Sequence, residues 1–504
     1  MKPALRHAPS LLACLMLAAC GGSDHSASQA EAARVTVAGQ AAGTMPFVAD
    51  ISLAVEDMAN VDRISFTIAA KPGTYSKPMN ATYTRAWIDR TGAWHAAEKR
   101  LVVPVFGLYE GHANTVTVAT AFRDGSSDVE QVTVNTAPYS GTPPYTTPVV
   151  GVARKAGSDL GFDYMLYKPN LHGPAVVDAD GNLRWFSGTL PVVSGVQTHF
   201  TGDAFYIGSY VAPEMFRVDL SGRVTTIPLP PGRYTNFHHD LSAGKRGMLA
   251  EMDARDGNVT KMESILAEIG TNGEVLKEWD FAAIFREHMQ ANGDDPSNFV
   301  RDGIDWFHMN SAIYVPADDS LLVSSRENFV VKLDYATGRI KWLFGDTTKH
   351  WYVDYPSLRS LALTVTEGKA PIGQHSLSIT PNGELLLFNN GLGSLNHPAG
   401  TSPGVTRNFS TPSRYRIDEA ARTAAEVWTF AIEPAVFSDI CSSVYETTPG
   451  NYLINYAASV TADRNRVVSV NSAGQVALDL TYSGINCSLV HIARPITFSG
   501  QVFQ

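Results

Sequence analysis

Apolar and polar residues alternate along most of this chain, and long runs of either kind are few. From residue 35 to about 138 the alternation comes in short segments. RISFTI at 63–68 and TVTVAT at 115–120 are examples, broken by turn formers such as RDGS at 123–126. A period of two over four to eight residues predicts half-buried strands. Such strands in close succession predict a small antiparallel β-sandwich over 35–138. Residues 139–148, rich in Pro, Thr and Gly, predict a linker.

Beyond the linker one unit recurs: an acidic or polar residue, a glycine turn, then an apolar strand that often ends in Trp. It reads DADGNLRW at 178–185, DLSGRV at 219–224, TNGEVLKEW at 271–279 and DYATGRIKW at 334–342. A degenerate copy, DEAARTAAEVW, occupies 418–428, and NSAGQV occupies 471–476. Successive turns, with Arg422 in the glycine position of the fifth, lie 41, 51, 65, 84 and 52 residues apart. A four-stranded blade takes about 40–50 residues. Six copies therefore predict an all-β fold, a six-bladed β-propeller over 149–504 preceded by the small sandwich. The glycine supplies the positive φ of a tight hairpin, and the Trp is expected to pack between adjacent blades. FAAIFREHMQ at 281–290 has apolar spacings of three and four and predicts a helix. Residues 346–371, rich in aromatic and charged side chains, predict a lid over the propeller mouth.

The N-terminus changes the picture of where the protein works. Lys2 and Arg6 precede an apolar run at 11–17 that is too short to span a bilayer, and Leu17-Ala18-Ala19-Cys20 follows. Residues 1–19 read as a signal peptide, and the last four resemble a bacterial lipobox in which Cys20 is acylated. An ordinary signal peptide with an incidental Cys20 is the alternative. Residues 20–34 would be the lipidated cysteine and a flexible tether. Gly21 resembles the default outer-membrane sorting pattern, which predicts a periplasmic-side protein tethered to the outer membrane by its lipid. Loss of Lys2 and Arg6 leaves 37 basic against 49 acidic side chains, a formal charge of −12. That balance argues against a nucleic-acid partner. Cys441 and Cys487 then remain, either as a disulfide in an oxidising compartment or as two separate buried thiols. No Cys/His cluster has zinc spacing, so no metal is expected.

Three histidine segments each precede a predicted strand: NFHHDL at 236–241, DWFHMNS at 305–311 and GQHSL at 373–377. His239 lies eight residues before Gly247, and His375 eight before Gly383. This register places both at the start of an innermost strand, facing the central channel. By the same register Asn310, not His308, matches His375, which puts His308 about one step further out. His238 and His239 are adjacent, so in a regular strand only one faces the channel, and the register favours His239. Arg326 ends the apolar strand SLLVSS at 320–325. Tyr352, Trp351 and Phe329 are candidates for stacking an aromatic ligand.

Residues 305–346 closely resemble the arylsulfate sulfotransferase family. The shared pattern is Trp306-x-His308-x-Asn310-Ser311, the Asp318-Asp319 turn, Ser324-Ser325-Arg326, and the hairpin Thr337-Gly338-x-Ile340-x-Trp342. The segments around 238–240 and 374–376 match two further family signatures in order, and the resemblance spans about 145–500. It implies a six-bladed propeller behind a β-sandwich. It also implies ping-pong transfer of a sulfuryl group from a phenolic sulfate ester to a phenol acceptor. His375 would be the nucleophile that becomes sulfated. His239, His308 and Arg326 would bind the sulfuryl oxygens, with Asn310 and His238 nearby. No cofactor, nucleotide sulfate donor or metal is implied. The resemblance leaves the sandwich either as a homodimer contact or as a spacer from the membrane. Two other readings compete. A quinoprotein-like dehydrogenase shares the Thr-Gly-Trp hairpin but leaves the histidines unexplained. An envelope scaffold or binding propeller leaves them idle.

Overall fold

The structure, a computed structural model, describes residues 34–504 except 142–144, 146, 147, 171, 189, 191–193, 434, 459–463 and 485. The signal segment, Cys20 and part of the linker lie outside the described residues.

Two sheets face each other at the N-terminus. One orders Val35–Ala42, Val48–Val55, Arg100–Phe106 and Trp94–His95; the other contains Val61–Ile68, Met79–Thr84, Ala113–Phe122 and Ser127–Asn135. Their inward positions, including Ile51, Leu53, Ile64, Phe66, Leu101 and Val118, are buried. The strict alternation seen in the sequence is what delivers one apolar face per sheet.

Six further four- or five-stranded sheets form the blades. Their innermost strands are Ile492–Ile496 in blade 1, Thr198–Phe200 in blade 2 and Tyr234–Ala243 in blade 3. Met309–Val315, His375–Ile379 and Ser443–Thr448 serve blades 4, 5 and 6. Blade 1 takes its inner strand from the C-terminal end of the chain and its other three strands from residues 164–186. Blade 6 takes Val149–Val152 as its outermost strand. The ring is thus closed twice by strands from opposite ends of the propeller segment.

The recurring turn is a physical device. Asp178 Oδ1 accepts from the N–H groups of Asp180 and Asn182, and Asp219 Oδ1 from those of Ser221 and Arg223. Gly181 and Gly222 both have φ +87°. The tryptophan at the end of the unit reaches the turn of the next blade. Trp185 Nε1 donates to Leu220 O, Trp279 Nε1 to Tyr335 O and Trp342 Nε1 to Glu419 Oε1, at 3.1–3.2 Å. Trp428 stacks on Tyr452 of the following blade with ring centroids 3.9 Å apart.

The sequence reading carried the propeller to residue 504, and here the structure differs. Gln501–Phe503 pairs in parallel with Met79–Thr84 and becomes part of the sandwich sheet. Phe503 stacks on Tyr83, and Arg184 of blade 1 reaches Gly107 O of the sandwich at 2.9 Å. The segment 346–371, expected as a lid over the propeller mouth, packs on blades 4 and 5. Thr364–Glu367 adds to the outer edge of blade 5, and Trp351 and Leu358 are fully buried between the helix Phe281–Ala291 and blade 4. Phe329 and Trp351 are inaccessible and cannot stack a phenol.

Candidate active site

The three histidine segments converge because their backbones leave the regular strand. His239 has φ +37°, His308 φ +50° and Ser376 φ +56°, conformations uncommon for non-glycine residues and concentrated at functional sites. The pairing of blade 3 skips a step between His238 and Leu241. That bulge breaks the in–out alternation expected of adjacent residues, so His238 and His239 point to the same side. Their Nδ1 atoms touch, and both rings reach the carboxylate of Glu263. His238 Nε2 lies 2.9 Å from Glu263 Oε1, and His308 Nδ1 lies 2.9 Å from Glu263 Oε2 and 2.5 Å from Asp305 Oδ2. The His239 and His308 ring centroids are 4.6 Å apart. His308, set by its register outside the channel set, is therefore within it.

The electrostatics divide these imidazoles by role. Burial works against a charge on His308, but Glu263 and Asp305 outweigh it and hold the pKa up to about 9. His238 is also raised, its burial outweighed by Glu263. His239 is pushed well below 6.5 by burial and by the neighbouring imidazoles His238 and His308. His375 is likewise pushed well below 6.5, by burial and then by His491, with His308 and Arg326 adding to it. Burial disfavours the Glu263 carboxylate, yet His308 and His238 hold it ionised, far below its ordinary range.

His375 is 3% exposed, and its ring is held on both sides. Its Nδ1 lies 2.8 Å from Asn390 Oδ1 and 3.1 Å from Gly373 O. Asn390 Nδ2 donates to Ser438 O at 2.7 Å and to Cys441 O at 2.9 Å. Those two donations fix which end of the amide faces His375. Both neighbours of Nδ1 are therefore acceptors, so Nδ1 carries the proton and Nε2 keeps the lone pair. The only group bonded to Nε2 among the described residues is the N–H of Cys441, at 3.2 Å.

Arg326 is buried beside Glu327, to which its guanidinium bonds, and its N–H donates to His308 O. Lys349 Nζ binds the carbonyls of Arg326 and Glu327 at 3.1 and 2.8 Å, so the start of the 346–371 segment buttresses this corner. Asn310 Nδ2 donates to Gln374 O at 2.8 Å, which places Asn310 behind the backbone that carries His375 and stitches blade 4 to blade 5. Cys441 and Cys487 form a disulfide with Cα atoms 6.5 Å apart.

Four residues of this site had no role in the sequence reading. Asp305 was legible as a carboxylate three residues before His308. Glu263 comes from the third strand of blade 3, at φ +44°, and Asn390 from the end of a strand; neither sits in a pattern. His491, which belongs to none of the three histidine segments, is buried with its ring centroid 6.2 Å from His375 and 5.9 Å from His239. Burial lowers its pKa to about 3.

Donors of His238, His239 and Glu263, and of Glu263, Asp305 and His308, lie within 4.8 Å of one another. Their nitrogen and oxygen chemistry suits a transition-metal ion. In the structure Glu263 instead bridges the imidazoles directly as their counter-ion. A third such group, Cys441, Cys487 and His491, has both sulfurs committed to the disulfide.

A neutral imidazole whose Nε2 lone pair is held only by a long contact, set among an imidazolium, an arginine and further imidazoles, suits transfer of an anionic group through a nitrogen nucleophile. Comparison with known proteins identifies the class of group transferred. The arylsulfotransferase (ASST) family model matches residues 147–486, and the arylsulfotransferase Ig-like domain model matches 35–138. Arylsulfate sulfotransferase AssT of Escherichia coli O6:H1 is 23% identical over 468 residues, covering 71% of this chain and 76% of that protein. AssT of Lelliottia amnigena is also 23% identical, with the same coverage. Among solved structures, the Cps50 (Swd1) β-propeller domain of Myceliophteria thermophila aligns with a TM-score of 0.36 at 10% identity, over 68% of this chain and 88% of its own. BamB of Moraxella catarrhalis aligns at 0.30 and 12%, over 73% and 93%. The propeller assignment rests on the six sheets themselves. With its model matched across most of the propeller and a second model on the sandwich, this chain belongs to the arylsulfotransferase family.

Proposed function

We propose that this sulfotransferase works by a ping-pong mechanism through a sulfated His375, moving a sulfuryl group from a phenolic sulfate ester to a phenol. The observation that carries the proposal is the state of His375: neutral, with its proton fixed on Nδ1 and its lone pair on Nε2. In the first half-reaction the Nε2 lone pair attacks sulfur, exchanging its long contact with the Cys441 N–H for the N–S bond. The bond from sulfur to the aryl oxygen breaks, and the leaving oxygen takes the proton of His308. In the second half-reaction a phenol returns that proton to His308 as its oxygen attacks sulfur and the N–S bond breaks. Sulfuryl transfer resembles phosphoryl transfer, with a loose transition state and charge on the equatorial oxygens. Arg326, His308, His239 and His238 supply cationic and N–H contacts to those oxygens. His308 also acts as general acid, its raised pKa suiting it to give up a proton to phenoxide. No nucleotide sulfate and no cofactor enters either step.

The compartment is part of the proposal. Cys20 is acylated, and the tether over 21–34 holds the enzyme on the periplasmic side of the outer membrane, where ester sulfates serve as donors. The sandwich acts as a homodimer contact or as a spacer.

Protein lacking residues 1–20 is given a chromogenic phenyl sulfate with and without a phenol. Acceptor-dependent release of the chromophore without nucleotide, and an intact-mass gain of one sulfuryl group that phenol removes, are the expected results. Acceptor-independent hydrolysis at the same rate, or full activity in His375→Asn, overturns the proposal.

A further inference from the structure

We infer that Asn390 is a positioning residue that selects the nucleophilic nitrogen of His375 and keeps the sulfated intermediate reactive by offering its Nδ1 proton a neutral acceptor. The inference rests on the sulfohistidine reading and extends it to a residue outside every sequence signature.

The geometry leaves Asn390 one orientation. It is 1% or less exposed, its Nδ2 is committed to the carbonyls of Ser438 and Cys441, and its own carbonyl accepts from Ser410 Oγ at 2.7 Å. Its Oδ1 can then only accept, and it faces His375 Nδ1. The other neighbour of Nδ1, Gly373 O, is also a neutral amide oxygen. In a catalytic triad a carboxylate occupies this place, orients the imidazole and stabilises the imidazolium that forms. Here an amide performs the first task and not the second.

That difference matters once Nε2 is sulfated. The ring then bears –SO₃⁻ on Nε2 and keeps H on Nδ1, so the imidazole part is formally cationic. Neither Asn390 Oδ1 nor Gly373 O can take the Nδ1 proton. When the acceptor oxygen attacks sulfur, the N–S electron pair returns to Nε2 and the departing group is neutral imidazole. A carboxylate at 390 would hold the sulfo-imidazolium as an ion pair. Alternatively it would remove the Nδ1 proton, so that the departing group became the far poorer imidazolate. Either outcome traps the intermediate. A stored sulfuryl group needs to be stable to water yet ready for a phenol, and the amide is the side chain that orients without trapping.

Asn390→Asp keeps the size of the side chain and supplies the missing charge. The two half-reactions are measured separately by rapid quench: chromophore release for sulfation, and loss of the sulfuryl mass on mixing with phenol for desulfation. Desulfation is expected to slow at least about tenfold more than sulfation, so sulfated protein accumulates in steady state. The acid limb of the sulfation rate should also move to higher pH, because a carboxylate beside Nδ1 raises the pKa of His375. Asn390→Ala, which releases the tautomer, is expected to lose sulfation by about 10²–10⁴-fold, by analogy with the loss when a triad carboxylate is replaced and the wrong tautomer results. Equal slowing of both half-reactions by Asn390→Asp with an unmoved acid limb, or wild-type rates in Asn390→Ala, overturns the inference. If Asn390→Asp fails to fold, as read by its thermal melt, the same half-reaction comparison is made on Asn390→Ser, where a selective loss of sulfation is expected and an equal loss of both steps refutes it. A wild-type protein that never gains the sulfuryl mass refutes the underlying mechanism instead, and the two failures are distinct.

Discussion

Replacing Glu263 with Gln tests the electrostatics on which the proposed mechanism turns. Gln keeps the volume and one oxygen but removes the charge that touches three imidazoles. Burial, the strongest influence on His308, would then be opposed by Asp305 without Glu263. The pKa of His308 should fall from about 9 to its ordinary 6.5 or below. That change is worth about 3 kcal/mol, at about 1.36 kcal/mol for each tenfold in proton affinity. At pH 8 the fraction of His308 able to donate a proton falls from about 90% to about 3%, roughly 30-fold. Donors that need a proton on the departing oxygen should feel this in full. An unsubstituted phenyl sulfate is such a donor, whereas a nitrophenyl sulfate departs without help. The expected result is a loss of about 30-fold at pH 8 for the first donor, little loss for the second, and an alkaline limb moved down by about 2.5 pH units.

Stability should change in parallel. Between pH 6.5 and about 9 the folded wild type keeps a proton on His308 that the unfolded chain has released. The stability from this pairing is therefore fully present below pH 6.5 and lost as pH rises through about 9. Glu263 acts with the opposite sign: its depressed pKa contributes stability above its unfolded value of about 4.3, lost as pH falls below that. Melting curves of Glu263→Gln should be flatter at both ends. An unchanged alkaline limb, or an equal loss with both donors at every pH, would refute the assignment of His308 as acid and Glu263 as its support.

Three further outcomes follow, two from the structure and one from the proposed lipid anchor. Removing the disulfide with Cys441→Ser and Cys487→Ser opens a loop with sequence separation 46 and should cost about 4 kcal/mol, read by denaturant unfolding, while an unchanged midpoint refutes it. Dialysis against a chelator should leave sulfuryl transfer unchanged; a loss restored by a divalent ion would assign the donors around Glu263 to a metal. Cys20→Ala should move the protein from the membrane pellet to the soluble periplasmic fraction, and continued pelleting would refute acylation.

What the sequence made legible was whatever repeats or lies local in the chain. The six recurring turns, five with Gly and one with Arg422, could be counted because each blade needs the same hairpin, and the tryptophans because each packs on the next blade. The histidine segments could be aligned because His239 and His375 stand at the same distance from equivalent strands. The pattern failed where the backbone departs from a strand. Alternation allowed only one of His238 and His239 to face the channel, but positive φ at His239 and the skipped pairing turn both inward. Glu263, Asn390 and His491 escaped because each is brought to the site from another strand or another blade. No local signal marks a buried carboxylate or amide whose partner is distant in sequence. Phe329 and Trp351 misled for the opposite reason, since aromatic composition is the same for a core cluster as for a phenol platform.

The late residues of the chain tie these observations into one structural dependence. Cys487 holds Cys441, whose N–H meets His375 Nε2 and whose carbonyl orients Asn390. Four residues after Cys487, His491 enters the histidine cluster with its backbone fixed to Lys168 O and Ser442 N. Ile492–Ile496 then closes blade 1, and Gln501–Phe503 joins the sandwich sheet. The segment that completes the ring is therefore the one that finishes the surroundings of His375. Such closure pairs residues far apart in sequence, which is entropically the slowest kind of contact to form. The tautomer of His375, its neighbouring imidazole and the disulfide beside it are consequently set together where the two ends of the propeller segment meet.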